Sequence, residues 1–228
     1  MTQLFDAYER NYTKAVQASI DFSGLPHSFF MAAKADLLGE LIRTWFAPGQ
    51  RPAALDVGCG IGTFHPYVRD LFGRSCGTDV SANCIERARR NNPGFEYKVS
   101  TGAGLPYTDA EFDLTMAICV LHHVPVADRA LFVGEMRRVT RRGGMVCVIE
   151  HNPLNPLTRL SVARCEFDRN AVLLRARQTE QLLVGAELRN VMSRYFLLLP
   201  SAGPIARGVE RWVASLPIGA QYVTHGQV

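Results

Sequence analysis

A glycine-rich turn is the segment of this 228-residue sequence best suited to hold a ligand: Asp56-Val57-Gly58-Cys59-Gly60-Ile61-Gly62. The apolar run at 53–57 predicts a strand before the turn, and a helical pattern follows it to about residue 72. Glycines let a ligand approach the backbone, and the helix N-terminus faces that ligand. A dinucleotide-binding turn has the spacing GxGxxG, but here the spacing is GxGxG and Thr63 stands at the third-glycine position. The turn therefore predicts a cleft for a small ligand and disfavours a dinucleotide; the alternative is a tight strand-to-helix turn that binds nothing.

An acidic residue, Asp79, stands at the end of the second predicted strand, at 75–78. A carboxylate at this place can accept hydrogen bonds from both hydroxyls of a ribose. The alternative is that Asp79 caps the helix predicted at 81–91, but Ser81 is already suited to that role. We therefore expect Asp79 to bind a ribose.

Three histidines follow strands of the same predicted sheet: His122 and His123 after the fourth strand, and His151 after the fifth. Ligands of open α/β sheets bind at the carboxyl ends of the strands. An imidazole with a pKa of about 6.5 can act as a general base at neutral pH, so all three are candidate catalytic residues. The alternative is that the pair belongs to the scaffold and that His151 lies in a polar turn.

Short apolar runs alternate with amphipathic stretches through the middle of the chain. Strands are predicted at 53–57, 75–78, 95–99, 112–119 and 145–150, and helices between them at 81–91 and 128–140, the latter ended by Gly143-Gly144. This alternation predicts an α/β fold with a parallel sheet and right-handed crossovers. Two late strands, at 190–199 and 220–225, have no crossover helix between them and predict an antiparallel addition at the sheet edge.

Composition excludes several classes of protein. The net charge of +4 is too small to indicate a nucleic-acid binder by itself, and no run approaches the ~18 apolar residues of a membrane span. Charged residues near the N-terminus, including Asp6 and Arg10, argue against a secretory signal. The six cysteines form no CxxC pair, which predicts reduced thiols, no metal site and a cytoplasmic location.

Several motifs occur in the order found in class I S-adenosylmethionine-dependent methyltransferases. The sequence resembles that family, and most closely the type 11 subgroup that includes ubiquinone/menaquinone C-methyltransferases. The motifs are the glycine-rich turn, Asp79-Val80-Ser81, Leu105-Pro106-Tyr107, Glu111-Phe112-Asp113, Leu121-His122-His123-Val124, and Arg137-Arg138-Val139 with Gly143-Gly144. The resemblance implies a Rossmann-like, mostly parallel seven-stranded sheet with an antiparallel edge strand and helices on both faces. One domain, 1–228, would comprise an N-terminal helical cap (1–47), a cofactor-binding core (53–150) and a substrate-side half (151–228).

The resemblance also implies a cofactor, S-adenosylmethionine, which leaves as S-adenosylhomocysteine, with no metal. Asp79 would bind its ribose and Val80 would pack on its adenine. The acidic residue that relatives place near the adenine is missing here, so the Thr101-Gly102-Ala103 segment would contact adenine instead. The remaining implied cofactor contacts are Asp56, Gly58, Cys59 and Gly60 in the turn, Ile118 and Cys119 at the methyl end, and Tyr12 and Lys34 over the cofactor. For Tyr12 and Lys34 the alternative is an ordinary position on an amphipathic helix.

The function implied is methyl transfer by in-line displacement to an O, N or C nucleophile of a small molecule, including lipid-like molecules and natural products. Ile118-Cys119-Val120-Leu121 replaces the Asp/Asn-Pro-Pro-aromatic motif of enzymes that methylate nucleic-acid amines, so no nucleic-acid partner is expected. Two alternatives stay open: a non-catalytic methyltransferase-like binding protein and a nicotinamide-dependent oxidoreductase.

The acceptor is expected to contact segments outside 53–150. An apolar stripe with Arg207 and Arg211 beside it either covers the substrate, touches a membrane surface peripherally, or packs on the fold; it comprises Ile205, Val209, Trp212, Val213 and Leu216. Four polar residues are candidate acceptor contacts that the sequence does not rank: Arg164, Glu166, Asp168 and Tyr195. The sequence determines neither the acceptor nor the oligomeric state.

Overall fold

The computed structural model describes residues 12–102, 104–199, 208, 210 and 212–228, and seven strands of this part of the chain form one sheet. The strands are β1 (Ala53–Val57), β2 (Arg74–Asp79), β3 (Glu96–Val99), β4 (Phe112–Ile118), β5 (Thr140–His151), β6 (Arg189–Phe196) and β7 (Gln221–Gln227). Their order across the sheet is β3-β2-β1-β4-β5-β7-β6. The first five strands are parallel, as the alternation of strands and helices predicted.

The late strands form the predicted antiparallel addition at the edge. β7 runs antiparallel to β5, and β6 runs antiparallel to β7 and forms the outer edge. The last strand in the sequence is thus inserted between β5 and β6, which is why β7 is buried along most of its length.

Helices cover both faces of the sheet. Those of the described chain are α1 (Tyr12–Ile20), α2 (His27–Trp45), α3 (His65–Val68), α4 (Ala82–Asn91), α5 (Arg129–Val139), α6 (Pro156–Arg164) and α7 (Ala176–Gly185). Ser81 caps α4 as predicted, because its side chain accepts a hydrogen bond from the Cys84 N–H. None of the described helices is long and apolar enough to cross a membrane.

Alternating side chains divide the core between the two faces. Along β5, Met145, Cys147 and Ile149 pack into a cluster with Leu38 of α2. The intervening β5 residues pack on the other face against α5 and α7; they are Val146 and Val148. Because both faces are buried, the strand is continuously apolar, as expected for a central strand of a covered sheet.

Two predicted element boundaries are wrong. The helix after the glycine-rich turn is one turn long, followed by a 3-10 segment at Arg69–Leu71, so its dipole offers a ligand little. Gly143 and Gly144 do not end a helix but lie within β5, which begins at Thr140. A Cβ on Gly144 would stand 2.6 Å from the Asp113 carbonyl oxygen, so glycine is needed there for close strand approach.

The predicted apolar stripe at 205–216 is partly outside the described residues, which exclude Ile205, Val209, Arg207 and Arg211. Trp212 is 88% exposed, so this side chain does not pack on the fold. Leu216 is also exposed.

His225 should make the fold sensitive to acid. Burial, together with the charge of Arg194, lowers its pKa to about 4, and its Nδ1 is buried without a hydrogen-bond partner. In the unfolded chain the pKa is about 6.5, so as the pH falls below that value the unfolded state takes up a proton first and stability is lost. We expect His225→Gln to reduce the loss of unfolding free energy between pH 7 and pH 5, measured by urea denaturation.

Met192→Gln, at an exposed position on β6, provides a control that does not titrate. It should keep the wild-type pH dependence. An unchanged slope in His225→Gln would contradict the prediction.

Candidate functional site

A cavity of about 1010 Å³ opens at the carboxyl ends of β1, β2, β4 and β5. In the sheet, β2 and β3 lie on one side of β1, and β4 and β5 lie on the other side. The strand order therefore reverses beside β1, and such a switch point leaves a crevice between the strand ends. Most of the side chains singled out from the sequence line this cavity: Lys34, Asp56, Gly58, Cys59, Gly60, Asp79, Val80, Thr101, Gly102, Ile118, Cys119, His122, His123 and His151. Ala103 and the side chain of Tyr12 lie outside the described residues.

The glycine-rich turn is held close to β2. The N–H groups of Gly58 and Cys59 both donate to the Thr78 carbonyl oxygen, at 2.7 and 3.0 Å. Gly58 has a φ of +79°, and a Cβ there would stand 2.6 Å from the Val120 Cγ1. Gly60 has a φ of +53°, but a Cβ there would meet open space. Gly58 is therefore needed for packing, whereas Gly60 leaves its side open to a ligand.

A buried histidine that the sequence analysis missed holds Asp56 in place. The Asp56 Oδ2 lies 3.0 Å from His65 Nε2, and His65 Nδ1 lies 2.5 Å from the Tyr97 hydroxyl. The His65 ring is fully buried and stacks on Phe95 with centroids 4.3 Å apart. The second carboxylate oxygen of Asp56, Oδ1, is buried and has no hydrogen-bond partner among the described residues. This oxygen can accept an N–H from a ligand.

Asp79 links the turn to the start of α4. Its Oδ2 accepts a hydrogen bond from the Gly60 N–H and its Oδ1 from the Ser81 N–H, both at 2.9 Å. Burial raises the pKa of this carboxyl, and the two N–H donors oppose that shift. Each carboxylate oxygen has a further lone pair, so Asp79 can still accept hydrogen bonds from vicinal hydroxyls.

Val80 and the segment at 101–102 form the next part of the wall. The Gly102 φ is +80°, and a Cβ there would stand 3.7 Å from Val80 Cγ1. The half-buried Val80 and the exposed Thr101 therefore leave a slot suited to a flat ring. The adenine contact expected of this segment stays a prediction.

Lys34 projects from α2 into the cavity and is only 4% exposed. Its ammonium has no ion pair with a carboxylate of the described chain. Burying an unpaired charge is costly, so a ligand carboxylate would stabilise this side chain. Lys34 is thus well placed for the negatively charged end of a ligand.

Ile118 and Cys119 end β4 at the floor of the cavity. Cys119 has a φ of +56°, which is strained for a residue with a side chain, and its N–H donates to the Ile149 carbonyl oxygen at 2.8 Å. Burial raises the pKa of the Cys119 thiol. Cys119 is therefore a neutral lining residue.

Glu150 fixes the turn that carries the two adjacent histidines. Its carboxylate is fully buried, and one oxygen accepts hydrogen bonds from the N–H groups of Val120 and Leu121, at 3.0 and 2.7 Å. The other oxygen lies 2.5 Å from His122 Nδ1. Burial of His122 opposes its protonation, but Glu150 and Asp168 outweigh this and raise its pKa to about 10. A group with that pKa is a poor general base at neutral pH.

Asp168 joins both histidines of the pair. Its Oδ1 lies 3.4 Å from His122 Nε2 and 3.3 Å from His123 Nε2. Burial by itself would raise the pKa of Asp168, but the two histidines outweigh burial and hold this pKa well below its usual range. His151 lies beside them, with its ring centroid 5.2 Å from that of His122. Burial and the nearby charge of His122 lower the pKa of His151 to about 4.

Sequence reasoning missed His65 and ranked neither Glu150 nor Asp168 as functional. Glu150 adjoins His151 at the end of β5, so its place at the sheet edge could be read from the pattern. The contacts of His65 and Asp168 follow from packing between distant segments, and no spacing in the sequence signals them.

Residues 55–148 match the family model Methyltransf_11, described as a methyltransferase domain. Norajmaline N-methyltransferase of Rauvolfia serpentina is 33% identical over 138 residues, which cover 55% of this chain and 47% of the plant protein. The tRNA (carboxymethyluridine(34)-5-O)-methyltransferase of Saccharomyces cerevisiae is 34% identical over 97 residues, 41% of this chain and 33% of the yeast protein. The chain thus spans about half, or less, of the length of these two relatives.

Among solved structures, a SAM-dependent methyltransferase from Thermotoga maritima, described as a possible histamine N-methyltransferase, aligns with a TM-score of 0.69. The alignment covers 100% of this chain and 99% of that one at 19% identity, which shows a shared fold. The matched core, with its glycine-rich turn, is similar to the methyltransferase domain of that family, and the sheet order is that of the fold shared with S-adenosylmethionine-dependent methyltransferases of known structure.

Gly58→Ala should weaken binding of S-adenosylhomocysteine at least about tenfold. The left-handed φ alone costs an added Cβ roughly 1–2 kcal/mol, and the clash with Val120 moves the turn further. Calorimetric titration measures the effect.

Gly134→Ala is the matched control, since Gly134 lies within α5 and a Cβ there meets nothing within 4 Å. This control should bind as the wild type does. Wild-type affinity in a folded Gly58→Ala variant would show that the turn does not hold the ligand.

Proposed function

We propose that the protein transfers a methyl group from S-adenosylmethionine to an O, N or C nucleophile of a small, largely apolar molecule. The observation that carries this proposal is one continuous cavity lined by polar groups of the glycine-rich turn and Asp79 on one wall and by apolar side chains on the other. Its volume of about 1010 Å³ is at the upper end of the ~300–1,000 Å³ typical of small-molecule sites. Such a cavity has room for a cofactor and an acceptor together.

The apolar wall favours an apolar acceptor molecule. It is built by the N-terminal helical segment, by α5 and α6, and by the chain after β6; its side chains include Phe22, Leu25, Phe29, Phe30, Leu131, Leu157, Leu197 and Leu198. Apolar surface of this kind binds by burial, with the few polar groups setting orientation.

The basic cluster at 137–142 does not favour a nucleic-acid acceptor. Arg137, Arg138 and Arg141 are each ion-paired, which leaves little charge for phosphates. Their partners are Glu187, then Glu135 with Asp109, and Asp113. The absence of a nucleic-acid partner and the cytoplasmic location remain predictions.

Methyl transfer needs alignment more than covalent help. S-adenosylmethionine supplies an activated methyl group on a sulfonium, and in-line placement of a nucleophile can lower the barrier by up to ~7–11 kcal/mol. The glycine-rich turn and Asp79 would hold the cofactor, and the apolar wall would exclude water. His122, His123 and His151 would face the nucleophile, and the His123 side chain is more exposed than that of His122.

Asp79→Ala should weaken S-adenosylhomocysteine binding by about 10- to 100-fold, since hydrogen bonds to a charged group contribute roughly 1.5–3 kcal/mol. Calorimetry with S-adenosylhomocysteine and with NAD, on the wild type and this variant, tests the cofactor. The exposed Asp70, changed to Ala, is the matched control and should bind normally.

Binding of NAD alone would favour the oxidoreductase and overturn the proposal, as would binding of neither. A protein that binds S-adenosylhomocysteine yet transfers no labelled methyl group to any of a panel of apolar phenols, amines and acidic carbon compounds would be the non-catalytic alternative.

Lys34→Met should weaken the binding of S-adenosylhomocysteine at least about tenfold while leaving the binding of 5′-methylthioadenosine unchanged. The second ligand keeps the adenosine but lacks the amino-acid end, and a charged hydrogen bond of roughly 1.5–3 kcal/mol is lost only with the first. Parallel titrations of the two ligands make the comparison. Equal weakening of the binding of both ligands would show that Lys34 does not contact the amino-acid end. Lys34→Arg should restore part of the affinity for S-adenosylhomocysteine.

A further inference from the structure

We propose that His122, His123 and Asp168 bind a first-row divalent metal ion, of which Zn²⁺ best suits the ligands, at the acceptor end of the cavity. The three offer two imidazole nitrogens and a carboxylate oxygen, and these atoms lie within 4.8 Å of one another. Two histidines and one carboxylate, with a position left for substrate, are a ligand set of catalytic zinc. The role assigned to the ion rests on the proposed function.

The distances fit a shared cation better than hydrogen bonds. Asp168 Oδ1 lies 3.4 Å from one imidazole Nε2 and 3.3 Å from the other. Charge-assisted N–H···O contacts are about 2.7–2.9 Å long. Tetrahedral ligands with bonds of about 2.0–2.1 Å stand about 3.3–3.4 Å apart, which matches both contacts.

The surroundings orient the first ligand. The Glu150 carboxylate, 2.5 Å from His122 Nδ1, accepts the hydrogen on that nitrogen and directs Nε2 toward Asp168. A carboxylate behind a ligating histidine is the usual support of a metal site, since it fixes the ring and raises its basicity. The backbone adds a second tie, because the Val172 N–H donates to the His122 carbonyl oxygen at 2.9 Å.

Charge balance also favours a cation. The Glu150 side chain is fully buried and that of Asp168 is 11% exposed, so two carboxylates face two imidazoles with little water. An imidazole that ligates a metal must be neutral, so the ion would displace the proton shared with Asp168, and its two positive charges would cancel those of the two carboxylates. Buried carboxylates require such compensation.

The metal narrows the class of acceptor to molecules with an ionisable hydroxyl, such as a phenol or an enol. The acceptor oxygen would bind the ion, and its proton would pass to water because the ion lowers the hydroxyl pKa. The oxygen lone pair then forms the new O–CH₃ bond while the S–CH₃ electron pair leaves on sulfur. The ion would thus take the place of a side-chain base.

Co²⁺ titration of chelator-treated protein, followed by visible ligand-field absorption and by Zn²⁺ competition, tests the site. We expect one Co²⁺ per chain with a low-coordinate spectrum, displaced by Zn²⁺. His123→Ala and Asp168→Asn should each weaken binding at least tenfold; both side chains are partly exposed, so these variants should fold. The matched controls are His225→Gln and Asp70→Asn, which should bind as the wild type does.

Absence of a Co²⁺ spectrum, or affinity unchanged in both ligand variants, would overturn the site. S-adenosylhomocysteine binding to the same metal-free protein separates the two proposals. If S-adenosylhomocysteine binds but Co²⁺ does not, only the metal-site proposal fails. If Co²⁺ binds but S-adenosylhomocysteine does not, the proposed methyl transfer fails.

Discussion

The buried carboxylate of Glu150 is the constraint on which the histidine-lined end of the cavity depends. A charge with no access to water must be satisfied by hydrogen bonds, and Glu150 obtains them from two backbone N–H groups and from His122. The turn after β4 therefore closes over the end of β5. The positions of His122 and His123 follow from this closure and not from the preferences of a surface loop.

The covered sheet makes that closure rigid. Alternate side chains of β5 pack on opposite faces, so neither β4 nor β5 can slip in register without exposing a core face. Because the strands are parallel, their carboxyl ends meet at one edge. Cys119 and Gly58, both with positive φ, lie where the chain leaves the sheet beside the cavity.

The two walls of the cavity have different origins. Most of the polar wall comes from one part of the chain, the turn after β1 and the segments that follow β2 and β3, and Lys34 of α2 adds to it. The apolar wall is assembled from the N-terminal helical segment, from α5 and α6 and from the chain after β6, which are far apart in sequence. The proposed cofactor contacts are thus mostly close together in the sequence, whereas the proposed acceptor contacts depend on how distant segments pack.

The sequence by itself determined the alternating strands, the glycine-rich turn, the Ser81 cap and the place of Asp79 at a strand end. Each of these features depends on residues close in the sequence. Runs of apolar residues mark the strands, glycines allow the positive φ of the turn, and the Ser81 hydroxyl lies three residues before the N–H that it accepts from. Only the tertiary structure decided that β7 lies between β5 and β6, that His65 holds Asp56, and that Asp168 meets both histidines. These contacts join segments distant in the chain, and their geometry is set by core packing, which no local pattern encodes.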